Sequence, residues 1–189
     1  MATRVLVAYA SKLGSTREIA ETIAGVLNAS GCEAAAQSVR DARTLDGWDA
    51  VVLGSALYAA HWQRDANRFV TRHGDALRAR PLWLFSSGPL DARLAAANLP
   101  LTEHAAGIVG GLGSREHRTF GGRLLPDAPV DPQVLATHPI GDFRDWAAIH
   151  DWAQQIARAA RALTEAAASP AASPAASEAG QAGTADGAQ

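Results

Sequence analysis

The chain has 189 residues, 48% of them hydrophobic, enough to bury the core of one domain. Its 17 Lys and Arg against 19 Asp and Glu leave a formal net charge of -2, which excludes the basic field of a nucleic-acid binder. A lone cysteine, Cys32, excludes an internal disulfide, and no run of about 18 apolar residues is present to cross a membrane.

Val5, Leu6 and Val7 open the chain as a short continuous apolar run, the pattern of a strand buried on both faces of a parallel sheet. Only four residues precede it, which leaves no room for a signal peptide, so a soluble cytoplasmic product is expected. Ser11 to Thr16 then form a turn of hydroxyls and glycine. A helix follows, with Ile19, Ala20, Ile23, Ala24 and Leu27 on one stripe and a stop near Gly31. Cys32 to Val39 reads as an edge strand, with Cys32 itself a buried apolar residue. Ala50 to Leu53 is a third strand broken by Gly54-Ser55. Trp62, Ala66, Phe69, Val70 and Leu77 predict a helix over 61–79, and Leu82 to Phe85 a fourth strand ending at Ser86-Ser87-Gly88-Pro89.

Asp91 to Asn98 reads as one or two helical turns, and Thr102 as the cap of a helix through Ile108 and Leu112. Gly107, Gly110 and Gly111 weaken that helix by roughly 1 kcal/mol each relative to alanine. His117 to Gly122 is the candidate fifth strand, and the four prolines between Arg123 and Gly141 predict irregular backbone. Trp146, Ile149, Ala153, Ile156, Ala160 and Leu163 mark a final helix. The domain is expected over residues 1–166, with 167–189 an Ala/Ser/Pro/Gly-rich tail lacking any large apolar residue and expected to be disordered. Truncation after Ala168 is therefore expected to leave the melting temperature unchanged; a clear drop would mean that the tail packs on the domain.

Alternating strands and helices predict an α/β fold, a doubly wound parallel sheet with right-handed crossovers. Ligands of such sheets sit beyond the carboxyl ends of the strands at the switch point, which singles out the three loops that follow apolar strands. In the first, Gly14 lets backbone approach a ligand, Ser11, Ser15 and Thr16 supply hydroxyls, and a helix N-terminus favours an anion. Ser15 with Glu18 three residues on also fits a capping box, which would satisfy the helix end with no ligand. Both readings stand on the residues alone. In the second loop Gly54 and Ser55 permit close backbone approach to a planar ligand; Tyr58 can face a ring, while Trp62 fits the core stripe of the next helix. The third offers free N–H groups at Ser87 and Gly88.

These three stretches, YASKLGST, GSALYAAHW and SSGPLD, together resemble the flavin mononucleotide (FMN) loops of the flavodoxin superfamily. The closer likeness is to the group that includes menaquinone-dependent protoporphyrinogen oxidases. Gly14, Thr16, Arg17, Glu18, Ile19 and Ala20 match its first loop. Gly54, Ser55, Ala56, Leu57 and His61 match the second, and Phe120, Gly121, Gly122, Asp145 and Trp146 recur further on. The resemblance spans residues 3–164 and implies a five-stranded parallel sheet of order 2-1-3-4-5 with helices on both faces. It also implies FMN as cofactor. Ser11, Lys12, Gly14, Ser15 and Thr16 would hold the phosphate; Gly54, Ser55, Ala56, Leu57 and Tyr58 would flank the isoalloxazine on one side, and Ser86, Ser87, Gly88, Pro89 and Leu90 on the other.

The implied role is redox, with an electron donor or acceptor that is a partner protein or a small molecule such as a quinone or porphyrinogen. Two features depart from the pattern. The long basic insert of protoporphyrinogen-directed members is shorter here and holds one basic residue, Arg123, and the acidic face of electron-shuttle flavodoxins is missing. No catalytic side-chain constellation and no metal-ligand grouping stand out; His61 is the histidine placed to meet a substrate. A phosphorylated signalling receiver is excluded, because Tyr9-Ala10-Ser11 and Gly54-Ser55-Ala56 lack the carboxylates that such a site needs after the first and third strands.

Overall fold

The structure is a computed structural model that describes residues 2–168; the expected tail lies, from residue 169 onward, outside the described residues. In chain order the first half comprises β1 (Arg4–Ala10), α1 (Ser15–Ala29), β2 (Glu33–Ser38), β3 (Ala50–Tyr58), β4 (His61–Trp62) and α2 (Arg64–Arg78). The second half comprises β5 (Leu82–Ser87), α3 (Ala92–Ala96), α4 (Glu103–Val109), β6 (Glu116–Phe120), β7 (Arg123–Leu124), α5 (Pro132–Thr137), β8 (Gly141–Asp142) and α6 (Trp146–Ala168).

The main sheet runs β2-β1-β3-β5-β6 with every neighbour parallel, so the five principal strands take the expected 2-1-3-4-5 winding. Successive side chains of a strand point to opposite faces, and here both faces are covered. Val5 and Val7 of β1 enter a core layer with α1 and α6, whereas Leu6 and Ala8 enter a second layer with α2 and α4. That is why β1 reads as an uninterrupted apolar run. On the α1/α6 side Phe85, Phe120 and Trp152 pack with ring centroids 5.6–6.3 Å apart in tilted and edge-on geometry. The Trp152 indole N–H donates to Glu116 Oε2 at 2.9 Å, which satisfies the polar edge of a buried ring. Cys32 is buried at the entry to edge strand β2.

Two expectations are corrected. The third strand does not stop at Gly54-Ser55: β3 continues to Tyr58 and folds back as the antiparallel β4, so His61 and Trp62 are strand and the helix begins at Arg64. The hairpin turn is Ala59-Ala60, with φ of 47° and 63°. Two-residue hairpin turns with both φ positive normally carry Asn or Gly, so alanines gave no signal. The segment 123–141 is only partly irregular, over residues 125–131 and 138–140. It forms β7, α5 and β8, with Asp131 accepting from Gln133 N as cap and Pro132 at the first helical position. The β7–β8 pairing joins Arg123 to Asp142 and Leu124 to Gly141, a long-range contact without local periodicity to announce it.

Candidate functional site

Gly14, at φ 87°, turns the chain from β1 into α1 in the left-handed region that glycine alone enters without cost. Gly14 N donates to Ser11 Oγ at 3.1 Å, which fixes the loop. The residue that caps α1 is Gly14, and no side chain caps the helix. The first intrahelical bond runs from Glu18 N to Gly14 O, so the N–H groups of Ser15, Thr16 and Arg17 precede the ladder. The capping-box reading is thereby overturned: Ser15 lies inside the helix, and its buried Oγ has no hydrogen-bond partner.

Glu18 is drawn away from the helix end. Its Oε1 accepts from Arg123 Nη2 at 2.6 Å and its Oε2 from Arg144 Nη1 at 2.8 Å. Burial alone would raise the Glu18 carboxyl, but the hydrogen bonds from Arg144 and Arg123 outweigh it and hold the group below its ordinary value. Arg144, whose side chain is 2% exposed, also grips Asp142, donates to the Ser15 carbonyl at 3.4 Å and stacks 4.4 Å from the Trp146 ring centroid. Two guanidiniums and two carboxylates balance one another, so the carboxylate beside the loop does not oppose an anion there.

The first, second and third loops line one cleft of about 410 Å³ with Leu99, Thr102, Arg123, Leu124 and, from the segment that includes α5, Val130, Val134 and His138. That volume suits a single small-molecule ligand. A depression of about 460 Å³ beside α2, lined by Val70–Ala76 and Leu112, is more polar and takes no part of the three loops. The second and third loops touch directly. A Cβ on Gly88 would lie 2.6 Å from Leu57 Cβ, so only glycine permits this approach.

Of the residues expected at the site, Ser11, Ser15, Thr16, Ala56, Leu57, Tyr58, Ser87, Gly88, Pro89 and Leu90 lie on the cleft wall. Lys12 is beside it, with Nζ 5.5 Å from the Tyr58 ring centroid, and Gly14 shapes the turn without lining the cleft. Gly54, Ser55 and Ser86 stand behind the wall. Gly54 faces the Phe85 ring; the buried Ser55 hydroxyl bonds Ala56 O and accepts from Gln63 N at 3.0 Å. Ser86 Oγ accepts from Trp62 Nε1 at 2.9 Å and lies 3.0 Å from His117 Nε2. His61 is exposed and its Nδ1 lies 2.6 Å from Ala59 O, within the hairpin.

Arg123, Arg144, His117 and His138 were not assigned to the site from the sequence. Arg123 and Arg144 reach the first loop through long-range pairing of β7 with β8, and His138 through α5. The signal available in the sequence was that Arg123 is the one Lys or Arg of its proline-rich stretch.

A doubly wound parallel sheet with a cofactor-sized cleft beyond its carboxyl strand ends, built on an uncapped helix N-terminus, defines a flavodoxin-like α/β protein. The chain belongs to the flavodoxin domain family, which matches residues 6–125. No curated protein matches it in sequence. Among solved structures, an archaeal flavodoxin is 15% identical with a TM-score of 0.57, the match covering 84% of this chain and 99% of that one. A flavodoxin from Pseudomonas aeruginosa gives 16%, 0.56, 84% and 99% for the same quantities. Rubredoxin oxygen:oxidoreductase from Desulfovibrio gigas is 17% identical with a TM-score of 0.58; the match covers 85% of this chain but 37% of the longer enzyme. These likenesses are of fold. Family membership indicates FMN as the cofactor. The residues present fit it: the orphaned Ser15 hydroxyl and the free first-turn amides are donors that a phosphate would satisfy, and the apolar walls suit a planar ring.

Proposed function

We propose that this chain is an FMN-dependent oxidoreductase acting on a small-molecule electron donor or acceptor. The observation that carries the cofactor placement is the buried, unpartnered Ser15 hydroxyl at the head of an uncapped helix. A buried hydroxyl without a partner costs about 1–3 kcal/mol, so its retention here fits a ligand that satisfies it. Ser11, Lys12, Gly14, Ser15 and Thr16 would hold the phosphate, with Arg123 in the adjoining wall. Ala56 to Ala60 and Ser87 to Leu90 would flank the ring.

Bound FMN supplies one- or two-electron redox chemistry; the chain binds it, orients it and limits its contact with water. Leu124, Val130 and Val134 extend the apolar wall beyond the three loops, which favours a small apolar substrate over bare electron exchange at an open edge. The motif likeness to the protoporphyrinogen oxidase group supports testing porphyrinogens and quinones first. The half-exposed Tyr58 ring favours a second reading, a flavodoxin-type shuttle that meets a redox partner at this edge.

An absorbance spectrum of the purified protein, taken again after excess FMN and desalting, tests the cofactor. Two visible bands that survive desalting, with the released ligand identified as FMN, are expected. A colourless protein that retains no FMN would sink the redox reading and leave a flavodoxin-like module that works through partners.

A further inference from the structure

Behind the cleft wall lies a chain of hydrogen bonds, Trp62–Ser86–His117, that crosses three strands and ends on a half-buried imidazole. Trp62, on β4, is 2% exposed and Ser86, on β5, is 1% exposed, while His117 sits one strand further out on β6. Donor accounting fixes the first of the two directions. The indole N–H can only donate, so Ser86 Oγ accepts from Trp62; the single Ser86 proton is then free to go to His117 Nε2, 3.0 Å away. With its ring proton on Nδ1, His117 is the acceptor that this second bond needs.

The chain is placed where the backbone needs support. β4 is the return arm of the hairpin whose tip is Ala59-Ala60, and Trp62 pairs with Leu57 in its register. Two alanines in the left-handed region cost about 1–2 kcal/mol each, and such conformations persist only where surroundings over-determine them. The hairpin tip is part of the cleft wall. The Ser55 hydroxyl ties β3 to Gln63, just beyond β4, and the indole of Trp62 ties β4 to β5.

We infer that His117 is a positioning residue for the cleft: through Ser86 it fixes the Trp62 indole, and so holds the second loop against the third where the cofactor ring would lie. This role rests on the FMN reading for its consequence in binding, but not for the anchor itself. Burial pushes the His117 imidazole down to about 4, against the opposing pull of neighbouring Glu116. Protonation would turn Nε2 into a donor toward Ser86 and remove it as the acceptor of the Ser86 proton. Other titratable groups on the elements around it are Arg118 on β6, Asp91 and Arg93 at α3, Glu103 and His104 on α4 and His61 on β4. Glu116 bonds Arg118 and the Trp152 indole. His61 and His104 face each other with ring centroids 4.3 Å apart.

The test starts with the apoprotein and two NMR signals, the His117 ring and the Trp62 indole N–H, the latter assigned with Trp62→Phe. Wild-type His117 is expected to remain neutral down to pH 5, and at pH 7.5 the Trp62 indole proton to exchange about tenfold faster in His117→Leu. His117→Gln, which keeps a neutral acceptor, should restore slow exchange, matching the parent at pH 7.5 and again at pH 5. FMN should bind about three- to tenfold more weakly to His117→Leu and near normally to His117→Gln. His117 titrating near 6.5, or unaltered indole exchange in a folded His117→Leu, would overturn the inference. Should His117→Leu fail to fold, the wild-type titration and the glutamine variant decide it. Expected apoprotein results with no FMN bound by the parent chain would overturn the cofactor reading and leave the anchor standing.

Discussion

FMN is expected to bind Ser15→Ala about ten- to a hundredfold more weakly, while the apoprotein becomes no less stable than the parent. A hydrogen bond to a charged group contributes roughly 1.5–3 kcal/mol, which converts to that range of affinity. The opposite sign in the apoprotein follows from Ser15 Oγ, which is buried and unpartnered, so its removal relieves a desolvation cost. A structural serine would lose stability when truncated. Thr16, 1% exposed and on the same wall, should show the same loss of affinity in Thr16→Ala, by about tenfold or more. Fluorescence titration of each apoprotein with FMN, beside urea unfolding, measures both quantities. An unchanged dissociation constant in both variants would remove the helix end from the phosphate site.

Arg144→Ala is expected to cost about 3 kcal/mol of stability and to weaken FMN as well. Breaking a buried ion pair costs roughly 3–5 kcal/mol, and the lower end applies because Glu18 and Asp142 keep 32% and 38% of their side-chain surface exposed and can rehydrate. Loss of Arg144 leaves Glu18 with Arg123 alone, freeing negative charge beside the end of α1, where it competes with a bound anion. A pH series adds a second check. Burial and the Arg144 and Arg123 hydrogen bonds together leave the Glu18 carboxyl below 4.5; Arg144 hydrogen bonds, against burial, hold Asp142 below 3.8. Groups lowered in the folded state lend stability that is present above their ordinary values and lost as pH falls through the lowered ones. Arg144→Ala should therefore flatten the acid limb of the stability curve. A loss of under about 1 kcal/mol in urea unfolding, with an unchanged acid limb, would mean that the network behaves as a solvated surface pair.

Local pattern made the frame legible. The apolar runs at Val5–Val7, Ala50–Leu53 and Leu82–Phe85 were strands because both sheet faces are covered, and Thr102 capped α4 as its spacing required, its Oγ accepting from Ala105 N at 3.3 Å. The parallel sheet and the three loops beyond its strand ends followed from that alternation, while the strand order came from the resemblance those loops carry. Ser15 and Glu18, by contrast, fit a capping box in one dimension, and the box does not form. Arg123 and Arg144, more than a hundred residues away, out-compete the backbone N–H for the carboxylate, and nothing near Glu18 in the chain records their presence.

The sequence by itself determined the elements whose cause is local: buried strands, amphipathic helices and the glycine turn into α1. Tertiary structure alone decided what depends on distant partners. It set the run of β3 into a hairpin tipped by alanines and the folding of residues 123–142 into a wall of the cleft. It also turned the Ser86 hydroxyl away from the cleft toward Trp62 and His117. The reason is the range of the forces involved. Periodic burial leaves a repeat along the chain, whereas an ion pair or a buried hydrogen bond needs only two groups to meet, and their meeting leaves no periodic trace.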